Sequence, residues 1–503
     1  MNKRVILVNP SPDYDKEEYK HYDISMGVGA PLGILLLATI LEKNGFKTKI
    51  IDGQTCDYEE ETLREIAGKN VLCTGISVMS SQYRNAIELS GKIKQAREML
   101  PVVWGGFHPT IVTEKTLQNP CVDYIMQGEA DKGFLQFCNF LSKGGDIEKV
   151  ENLGYKKDGK VTLNACAPLS TFDELPVVDR ELIGDVEKHV LKRNALGEET
   201  RFMNVLAGLG CNYICAFCHN AILHKKHRTR KAPEIIEEMN YLYEKYGISE
   251  FAFQDENFFG NRERIFEMLK LLRSNRHKFR WSTSLRADYV KENYINRELL
   301  REVREAGGYY LGLGAESGSQ FILDKKIRKG IKVQDVLNLA EWAKGLDITL
   351  NFSFIAGIPG ETCDMTYETL QLIEKIKKIN PKTLIIGPHV FRPYPGSPLY
   401  QEALKMGLKE PDDWNGGEGK KFLESLSHFT HIDASAIPWH PQPVRFKYMM
   451  LSYYLFHLKK RKKFLENAVI GVLKAIAAIR LKFKWYSFWF EKPLLDMWNS
   501  KLS

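Results

Sequence analysis

The chain has 503 residues, of which 44% are hydrophobic and 27% are charged, with a formal net charge of +8 at pH 7. This composition is typical of a folded protein of two or three domains and excludes disordered, collagen-like and disulfide-rich chains. The N-terminus leads into a strand-like segment with no signal peptide, and the nine cysteines are an odd number, which predicts a reducing, cytoplasmic environment. No apolar run reaches the roughly 20 residues that a membrane span requires.

Residues 1–145 alternate strand and helix patterns. A helix is predicted at 31–45, with Pro31 at its start and Gly45 at its end. The predicted strands are the short β-rich segments 4–9, 47–52, 71–80, 101–106 and 122–129. Such alternation predicts an α/β fold with a doubly wound, Rossmann-like parallel sheet, which binds ligands at the carboxyl ends of its strands. Residues 146–195 are polar without a sustained period and are predicted to be a connector.

Residues 196–410 form a second alternating series with helical patterns between its strands. The predicted strands are 201–208, 250–255, 278–285, 309–314, 348–357 and 383–391. Six strand–helix units in sequence predict a partial (β/α)6 barrel, whose functional residues lie at the carboxyl ends of the strands. Residues 411–503 are predicted to be a helical, basic C-terminal domain, because thirteen Lys and Arg stand against three acids from residue 441 onward.

Three cysteines are clustered directly after the first strand of the second series. They are Cys211, Cys215 and Cys218, in the segment GLGCNYICAFCHN, residues 208–220. Thiolates are the ligands of iron–sulfur clusters, and three thiolates on a [4Fe–4S] cluster leave one iron open, as a catalytic metal site requires. The alternatives are a zinc site or ordinary core cysteines. A zinc site needs a fourth ligand, and the adjacent His219 could hardly reach the same tetrahedral ion as Cys218.

The spacing C-x3-C-x2-C after the first strand of a six-unit barrel resembles the radical SAM superfamily, as does the aromatic Phe217 before the last cysteine. The resemblance implies that the three cysteines hold a catalytic [4Fe–4S] cluster. The open iron would bind S-adenosylmethionine, and an electron from the cluster would cleave it to methionine and a 5′-deoxyadenosyl radical.

Four further segments resemble motifs of the same superfamily: 253–258, 311–319, 356–362 and 392–400. Each segment taken alone is also compatible with an ordinary turn or loop, whereas their order and spacing match the barrel strands. The resemblance implies that S-adenosylmethionine is contacted by Phe217, Asp255, Glu316, Gly357, Pro359 and Gly360. The glycines are expected to let the backbone approach the adenosyl group.

The N-terminal 145 residues resemble the cobalamin-binding domain of one radical SAM branch. The matching segments are 8–10, 30–52, 75–80, 102–110 and 124–131. The resemblance implies cobalamin contacts from Ser77, Gly105, Gly106, Gly128 and Glu129. The motif D-x-H-x-x-G, whose histidine ligates cobalt in methionine synthase-type domains, is absent, and His21 is expected to be a surface residue. The lower face of the corrin therefore has no assigned residue, and a docking module without cofactor is the alternative.

The C-terminal region contains one amphipathic helix, predicted at 465–483. Its apolar stripe consists of Leu465, Val469, Val472, Ile476, Ile479 and Phe483. A polybasic run precedes this helix at 459–463, and an aromatic segment follows at 483–490. This combination predicts an interfacial membrane helix at the inner membrane face. The alternative is a helix packed on the barrel with its lysines in water, and no nucleic acid is expected because the aromatics lie downstream of the charges.

These resemblances together predict a cobalamin-dependent radical SAM enzyme that methylates an unactivated carbon of a small or lipid-linked substrate. An electron donor such as flavodoxin or ferredoxin is expected as its partner. An oxidative cyclase or rearrangement enzyme of the same branch is the first alternative. A non-enzymatic iron–sulfur binding or scaffold protein is the second. A methylthiotransferase is not favoured, because the cysteines before residue 211 lack paired spacing and the tail is helical.

Overall fold

The computed structural model describes residues 3–12, 29–194, 196–221, 223, 226–411, 418–419, 422, 437–458 and 464–486. His21 and the polybasic run 459–463 lie outside these residues.

The N-terminal sheet has seven strands in the order β2-β1-β3-β4-β5-β6-β7. The strands are β1 (Arg4–Asn9), β2 (Lys47–Asp52), β3 (Val71–Ser77), β4 (Val102–Gly105), β5 (Tyr124–Met126), β6 (Leu153–Lys157) and β7 (Lys160–Leu163). The first five pair in parallel, as their buried apolar residues predict. The chain order reverses between β1 and β3, and a crevice for a ligand opens at such a point.

Helices cover both faces of this sheet. They are α1 (Leu32–Lys43), α2 (Tyr58–Ile66), α3 (Tyr83–Ala96), α4 (Phe107–Ile111), α5 (Thr113–Gln118) and α6 (Asp131–Lys143). The hairpin β6–β7 pairs antiparallel with β5, although it lies inside the segment that was predicted to be a connector. The doubly wound parallel sheet predicted from the sequence is confirmed, with this hairpin as an added edge.

The second sheet has the order β16-β15-β14-β13-β12-β9-β8 and curves into a partial barrel. Its strands are β8 (Leu191–Arg193), β9 (Glu199–Val205), β12 (Glu250–Phe253), β13 (Arg280–Leu285), β14 (Gly308–Glu316), β15 (Thr349–Ala356) and β16 (Leu384–Val390). A short hairpin, β10 (Gly208–Leu209) with β11 (Arg228–Thr229), lies between β9 and β12. The six strands from β9 to β16 are parallel, whereas β8 is antiparallel, so the predicted partial (β/α)6 barrel is confirmed.

Helices cover the outside of this barrel. They are α7 (Ala232–Tyr246), α8 (Arg262–Ser274), α9 (Arg297–Glu305), α10 (Val333–Trp342), α11 (Cys363–Ile379) and α12 (Pro398–Lys405). Their buried faces and the strands share one apolar core. Because the six strands run in parallel, their carboxyl ends meet at one face, where the cysteine-containing loop after β9 also begins.

The described part of the C-terminal region includes helices α13 (Pro443–Phe456) and α14 (Phe464–Phe483). Phe446 of α13 is fully buried in the barrel core, and the indole N–H of Trp439 donates to the carbonyl oxygen of Gly357 at 2.7 Å. Helix α14 buries Leu473 and Ala477 against α13. None of the described helices is long and apolar enough to cross a membrane.

The predicted apolar stripe of α14 is only partly exposed. Val472, Ile479 and Phe483 are exposed by 56%, 51% and 69% of their surface. Val469 packs against the cluster of Leu455, Leu473 and Ala477, and Ile476 is half-buried. The fully buried positions of the helix are Ile470, Leu473, Ala477 and Arg480. The stripe is therefore divided between solvent and the contact with α13.

Substitution of Phe446 by Ala is expected to destabilise the protein by about 3–5 kcal/mol, because it leaves a cavity between α13 and the end of β15. The midpoint of urea unfolding, followed by tryptophan fluorescence, measures this effect. Val472→Ala, an exposed apolar truncation on the neighbouring helix, is the matched control and should change the free energy by less than about 0.5 kcal/mol. An equal midpoint for Phe446→Ala and wild type would contradict the placement of α13.

Candidate active site

The cysteine-containing loop, residues 208–220, is held at its centre by two backbone hydrogen bonds. The Ala216 N–H donates to the Ile327 carbonyl oxygen at 2.7 Å, and the Ala216 carbonyl oxygen accepts from the Leu399 N–H at 3.0 Å. Cys211 and Cys215 are buried, and Cys218 is half-buried. The three thiols predicted to be ligands are therefore fixed in one loop at the carboxyl end of the barrel.

Arg286, at the end of β13, lies directly against this loop. Its Nη1 donates to Cys215 Sγ at 3.4 Å, and its guanidinium carbon lies 3.3 Å from the ring centroid of Tyr213. Asp288 binds both neighbours, accepting from Arg286 Nε at 3.0 Å and from the Tyr213 hydroxyl at 2.5 Å. Arg286 Nη2 also donates to the Lys329 carbonyl oxygen. A buried cation thus faces a cysteine sulfur.

The chemistry of these groups suits an anionic iron–sulfur cluster. Burial raises the pKa of both Cys211 and Cys218, while the nearby charges of Arg286 and Lys329 lower it. Within the described part of the chain, no three His, Cys, Asp or Glu side chains converge on one metal-ion position. In a four-iron cluster each thiolate binds a different iron, so the three sulfurs need not converge. The donor set therefore fits the cluster.

His219, the residue that a zinc site would draw on, is turned toward aromatic rings. Its ring lies 6.1 Å from Phe107 and 5.3 Å from Tyr394, measured between centroids. Its Nε2 is buried and has no hydrogen-bond partner among the described residues, and burial lowers its pKa. This arrangement favours the cluster over the zinc alternative.

Glu316 and Phe217, two residues predicted to contact S-adenosylmethionine, meet at Lys329. Lys329 Nζ forms a buried ion pair with Glu316 Oε1 at 2.5 Å and lies 5.8 Å from the Phe217 ring centroid. Glu316 ends β14 with a φ of 60°, a conformation that few residues other than glycine adopt. A cavity of about 350 Å³ opens inside the barrel beside this group, and Asp255 and Gly314 line it.

Asp255 supports the end of β9. Its Oδ1 accepts from the Ala207 N–H at 2.8 Å, and its Oδ2 lies 3.4 Å from Arg264 Nη1. Burial raises the pKa of Asp255 to about 6, although the charge of Arg264 opposes this shift. The carboxylate therefore holds the turn that leads into the cysteine-containing loop, and its contact with S-adenosylmethionine stays a prediction.

The glycines of segment 356–362 make room for protein neighbours on their Cβ side. A Cβ on Gly357 would lie 2.9 Å from Phe446 Cζ, and one on Gly360 would lie 2.7 Å from Lys326 Cε. Both have a positive φ, and Pro359 between them is buried. Protein packing alone therefore accounts for the small residues at these two positions. The predicted approach of their backbone to S-adenosylmethionine stays a prediction.

Glu361, in the same segment, is a buried acid that the sequence did not single out. Its Oε2 accepts from the Ile358 N–H and its Oε1 from the Thr366 hydroxyl, both at 2.9 Å. Burial raises its pKa to about 7. Its place directly before Thr362, which caps α11, is the signal that could have revealed it.

Two adjoining cavities lie at the carboxyl ends of the N-terminal strands. The smaller, of about 250 Å³, is lined by all five residues predicted to contact cobalamin: Ser77, Gly105, Gly106, Gly128 and Glu129. The larger, of about 530 Å³, lies between the two domains. Both are bordered by Gly33, Leu36, Leu175 and Leu209. Among the described residues, no atom lies within 4 Å of a Cβ position on Gly33, so this part of the wall is open. The five residues predicted to contact cobalamin are therefore gathered in a cavity that adjoins a larger one.

The larger cavity has a polar wall that sequence reasoning missed. Arg180 Nη2 donates to the Asn204 carbonyl oxygen at 2.9 Å and to Glu238 at 2.8 Å, and Arg230 binds the other oxygen of Glu238. On the opposite side, Gln82 donates to Asn9 at 3.0 Å. Arg180 lies in the predicted connector, where no motif marked it.

Comparison with known proteins agrees with both domains. The Radical SAM superfamily matches residues 205–373, and the B12 binding domain matches residues 25–137. An uncharacterised methyltransferase of Pyrococcus horikoshii is 29% identical over 81% of this chain and 86% of its own. Cytidylyl-2-hydroxyethylphosphonate methyltransferase of Streptomyces wedmorensis is 24% identical over 82% and 83%. The anaerobic magnesium-protoporphyrin IX monomethyl ester cyclase of Cereibacter sphaeroides is 25% identical over 79% of this chain, which spans 63% of that enzyme.

Two solved structures share the fold at 17% sequence identity. The radical S-adenosylmethionine methyltransferase TsrM of Kitasatospora setae has a TM-score of 0.63, covering 82% of this chain and 76% of that one. The cobalamin-dependent S-adenosylmethionine radical enzyme OxsB has a TM-score of 0.68, covering 96% and 72%.

The chain therefore carries a radical SAM domain at residues 205–373. A B12 binding domain at residues 25–137 precedes it. The cofactors predicted from the sequence, a [4Fe–4S] cluster, S-adenosylmethionine and cobalamin, are confirmed as those of the two matched domains.

Glu361→Gln is expected to reduce the pH dependence of stability. In the wild type, the unfolded carboxyl ionises near pH 4.5, whereas the folded one stays protonated up to about pH 7. Below pH 4.5 the carboxyl is protonated in both the folded and the unfolded state, and the stability linked to its raised pKa is fully present. As the pH rises from 4.5 to 7, it ionises in the unfolded state first, and the free energy of unfolding of the wild type falls by about 3 kcal/mol. The amide does not titrate, so the free energy of unfolding of the variant should rise relative to that of the wild type across this pH range.

Urea midpoints measured between pH 4.5 and 8 test this expectation. Glu374→Gln, at an exposed position of helix α11, which begins two residues after Glu361, is the control and should follow the wild-type curve. Parallel curves for Glu361→Gln and wild type would show that this carboxyl ionises normally in the folded protein.

Proposed function

We propose that this enzyme generates a 5′-deoxyadenosyl radical at the cluster held by Cys211, Cys215 and Cys218, and methylates an unactivated carbon of its substrate. The observation that carries the proposal is the position of Leu209. It lines both cavities of the N-terminal side and lies two residues before Cys211 in the cysteine-containing loop. A ligand in the interdomain cavity is therefore next to the loop that carries the thiols.

The bound cluster supplies the electron that cleaves S-adenosylmethionine, and bound cobalamin supplies a carrier for the methyl group. The chain's own residues hold and orient these reactants. Arg286 and Lys329 offset the charge of the three thiolates, which lowers the cost of burying them. Glu316 presents a carboxylate at the mouth of the barrel cavity, where an amino group of S-adenosylmethionine would be an appropriate partner. Phe217 offers an apolar surface beside it.

We assign the domains as residues 1–145 for cobalamin, 146–195 as connector, 196–410 for the radical SAM barrel and 411–503 for the basic C-terminal domain. In the same proposal, S-adenosylmethionine is contacted by Phe217, Asp255, Glu316, Gly357, Pro359 and Gly360. Cobalamin is contacted by the five residues of the smaller cavity. Asp255 and Gly357 are both buried. In this proposal S-adenosylmethionine therefore contacts Gly357 through its backbone and Asp255 from the barrel cavity that it lines.

Oxidative cyclisation is the second candidate reaction. The similarity to the magnesium-protoporphyrin cyclase, which covers 79% of this chain, is the observation behind this alternative. The two reactions differ in product mass, since methylation adds one CH2 unit and cyclisation adds none.

The proposal is tested on protein reconstituted anaerobically with iron, sulfide and cobalamin. After reduction in the presence of S-adenosylmethionine, the wild type should release 5′-deoxyadenosine, detected by mass spectrometry, and should retain corrin in its visible spectrum. Cys215→Ala should lose the deoxyadenosine by at least about 100-fold, because a ligand of the metal is removed. Cys121→Ala, a cysteine outside the loop, is the control and should behave as wild type.

Deoxyadenosine without retained corrin would refute the methyl-transfer part of the proposal. Equal deoxyadenosine from Cys215→Ala and wild type would refute the cluster assignment. Failure of a fully loaded wild type to cleave S-adenosylmethionine, with or without candidate substrates, would favour a scaffold protein.

We further propose that helix α14 lies on an anionic membrane surface and brings the active site to a lipid-linked substrate. Four neighbouring apolar residues support this orientation: Val472, Ile479, Phe483 and Trp485, exposed by 56%, 51%, 69% and 41%. The basic run 459–463 precedes them in the sequence. Apolar burial combined with attraction to anionic lipid is the usual basis of such binding.

Co-sedimentation with anionic and neutral liposomes tests the membrane proposal. The wild type should bind anionic vesicles, and Ile479→Glu should weaken this binding about tenfold or more, since a charge would enter the apolar boundary. Met99→Glu places the same charge on an exposed residue of the N-terminal domain and should leave binding unchanged. A wild type that ignores anionic liposomes would overturn the proposal.

A further inference from the structure

The cavity of about 350 Å³ inside the barrel is lined on one side by three neighbouring strands, β13, β14 and β15. Side chains alternate between the two faces of a strand, so every second residue faces the same side. The pairing of the strands places Ser284 beside Gly312, and Gly312 beside Asn351, in one row across this wall. Because Gly312 carries no side chain, the serine hydroxyl and the asparagine amide flank an open position.

The rest of this wall is polar but has no unpaired charge among the described residues. Small or hydroxyl-bearing residues occupy the rows on either side: Ser282, Tyr310, Gly314 and Ser353. Among the described residues that line the cavity, none is a lysine, arginine or histidine, and Asp255 is the single acid. Arg264, whose Nη1 lies 3.4 Å from Asp255 Oδ2, offsets that charge. The wall therefore offers hydroxyl and amide groups to a ligand and no group that would neutralise a ligand's charge.

Asn351 marks the point at which this wall lacks a hydrogen-bond partner. The side chain is 6% exposed, and its Nδ2 donates to the Tyr310 hydroxyl. Its Oδ1 is buried and has no hydrogen-bond partner among the described residues. Buried polar groups in folded proteins are almost always hydrogen-bonded, so this oxygen indicates a donor supplied by a bound molecule. Since Asn351 lines the cavity, that molecule belongs in the cavity.

This row lies deeper in the barrel than the residues expected to contact S-adenosylmethionine. Glu316 pairs with Phe354 of β15, which stands three residues beyond Asn351. Strands rise by about 3.3 Å per residue, so Asn351 lies about 10 Å below that level. S-adenosylmethionine must reach the cysteine-containing loop at the carboxyl end of the barrel. The lumen around Asn351 is therefore left to the other reactant, the substrate.

We propose that the lumen binds a neutral, hydroxyl-bearing ring of the substrate, a sugar or a cyclitol, and that Asn351, Tyr310 and Ser284 bind its hydroxyl groups. The inference deepens the proposed function and rests on it, because it names the substrate class of the same site. A hydroxyl donates one hydrogen bond and accepts two, so one group can donate to Asn351 Oδ1 and accept from Ser284. The carbon face of such a ring would meet Phe202, which lines the same cavity.

Charged groups and pure hydrocarbon groups fit this wall less well. A phosphate or carboxylate would lose its hydration without gaining a cation, since none lines the cavity among the described residues. A hydrocarbon group would leave Asn351 Oδ1 unpaired and would remove water from the serine hydroxyls. A lipid-linked substrate would therefore insert its neutral head group into the lumen rather than its chain.

The experiment uses the full chain with its cluster, cobalamin and S-adenosylmethionine, kept anaerobic and without reductant so that S-adenosylmethionine stays intact. Calorimetric titration compares neutral rings with charged counterparts of nearly the same shape. Methyl α-glucoside is paired with methyl α-glucuronide, N-acetylglucosamine with its 6-phosphate, and myo-inositol with its 1-phosphate. At least one neutral ring should bind, and it should bind at least about tenfold more tightly than its charged counterpart.

Two substitutions locate this binding in the lumen. Tyr310→Phe removes one hydroxyl and should weaken the affinity for the neutral ring about fivefold. Gly312→Val fills the middle of the row, where a Cβ would already lie 3.1 Å from Ser284 Oγ, and should weaken the affinity about tenfold or more. Tyr241→Phe removes the same atom from an exposed tyrosine of helix α7. It is the matched control and should bind the ring as the wild type does.

The proposal is overturned if no neutral ring binds, or if a charged ring binds as tightly as its neutral counterpart. Unchanged affinity in both Tyr310→Phe and Gly312→Val would overturn it as well. A loss of S-adenosylmethionine affinity in Tyr310→Phe, which removes a single oxygen atom, would show that S-adenosylmethionine itself fills the lumen and would reject the assignment.

Ring binding does not depend on cleavage of S-adenosylmethionine, so the proposed function is tested separately on the same protein. A wild type that binds the neutral ring but releases no 5′-deoxyadenosine after reduction would refute the proposed function and leave the ligand class of the lumen standing. A wild type that releases 5′-deoxyadenosine but binds no neutral ring would refute the sugar or cyclitol assignment alone.

Discussion

The backbone of Ala216 is the constraint on which the active site depends. This residue is 2% exposed, and both its N–H and its carbonyl oxygen are bound to the main chain of other barrel units. A buried peptide group that loses such partners costs free energy comparable to a lost hydrogen bond, so the loop cannot shift without a penalty. The loop that follows β9 is thereby tied to the segment after β14 and to the start of α12.

A second set of contacts fixes the two domains relative to each other. The side chain of Asn204, on β9, donates to the Ala30 carbonyl oxygen at 2.9 Å and accepts from the Ala30 N–H at 3.1 Å. These two hydrogen bonds cross the domain boundary and resemble the pair of backbone hydrogen bonds that joins residues on neighbouring strands. Arg228 of β11 adds a buried ion pair with Glu129. Since both contacts border the interdomain cavities, they set the distance between a ligand bound there and the cysteine-containing loop.

Much of the fold was predictable because strands in a parallel sheet are buried on both faces. The segments at 4–9 and 348–357 read as largely apolar runs, and each contains a strand of the structure. The three cysteines and the five small or polar residues at the ends of β3, β4 and β5 could be selected as candidates from the sequence, because motif spacing is local. The structure brings the latter five to a single cavity.

What the sequence could not reveal depends on contacts between distant positions. Arg286 lies 71 residues from Cys215 in the chain, and nothing around it suggests a sulfur neighbour. Helix α14 shows why a hydrophobic pattern alone does not identify the buried face. Its apolar stripe is continuous, yet α13 packs on the adjacent face that carries Leu473 and Ala477, a choice that depends on the partner helix. The hairpin β6–β7 was missed because its exposed residues are polar.

The charges around the cysteine-containing loop form one connected group rather than separate pairs. Lys329 binds Glu316 through its side chain and Arg286 through its carbonyl oxygen, while Arg286 donates to Cys215. Glu316, which is expected to contact S-adenosylmethionine, is therefore linked by hydrogen bonds to Cys215, which is expected to bind iron. Because an arginine in a protein does not deprotonate, Arg286 stays positive whether or not Asp288 is near. This permanent buried positive charge stabilises additional negative charge on a cluster bound at Cys215. Reduction of a cluster adds such a charge.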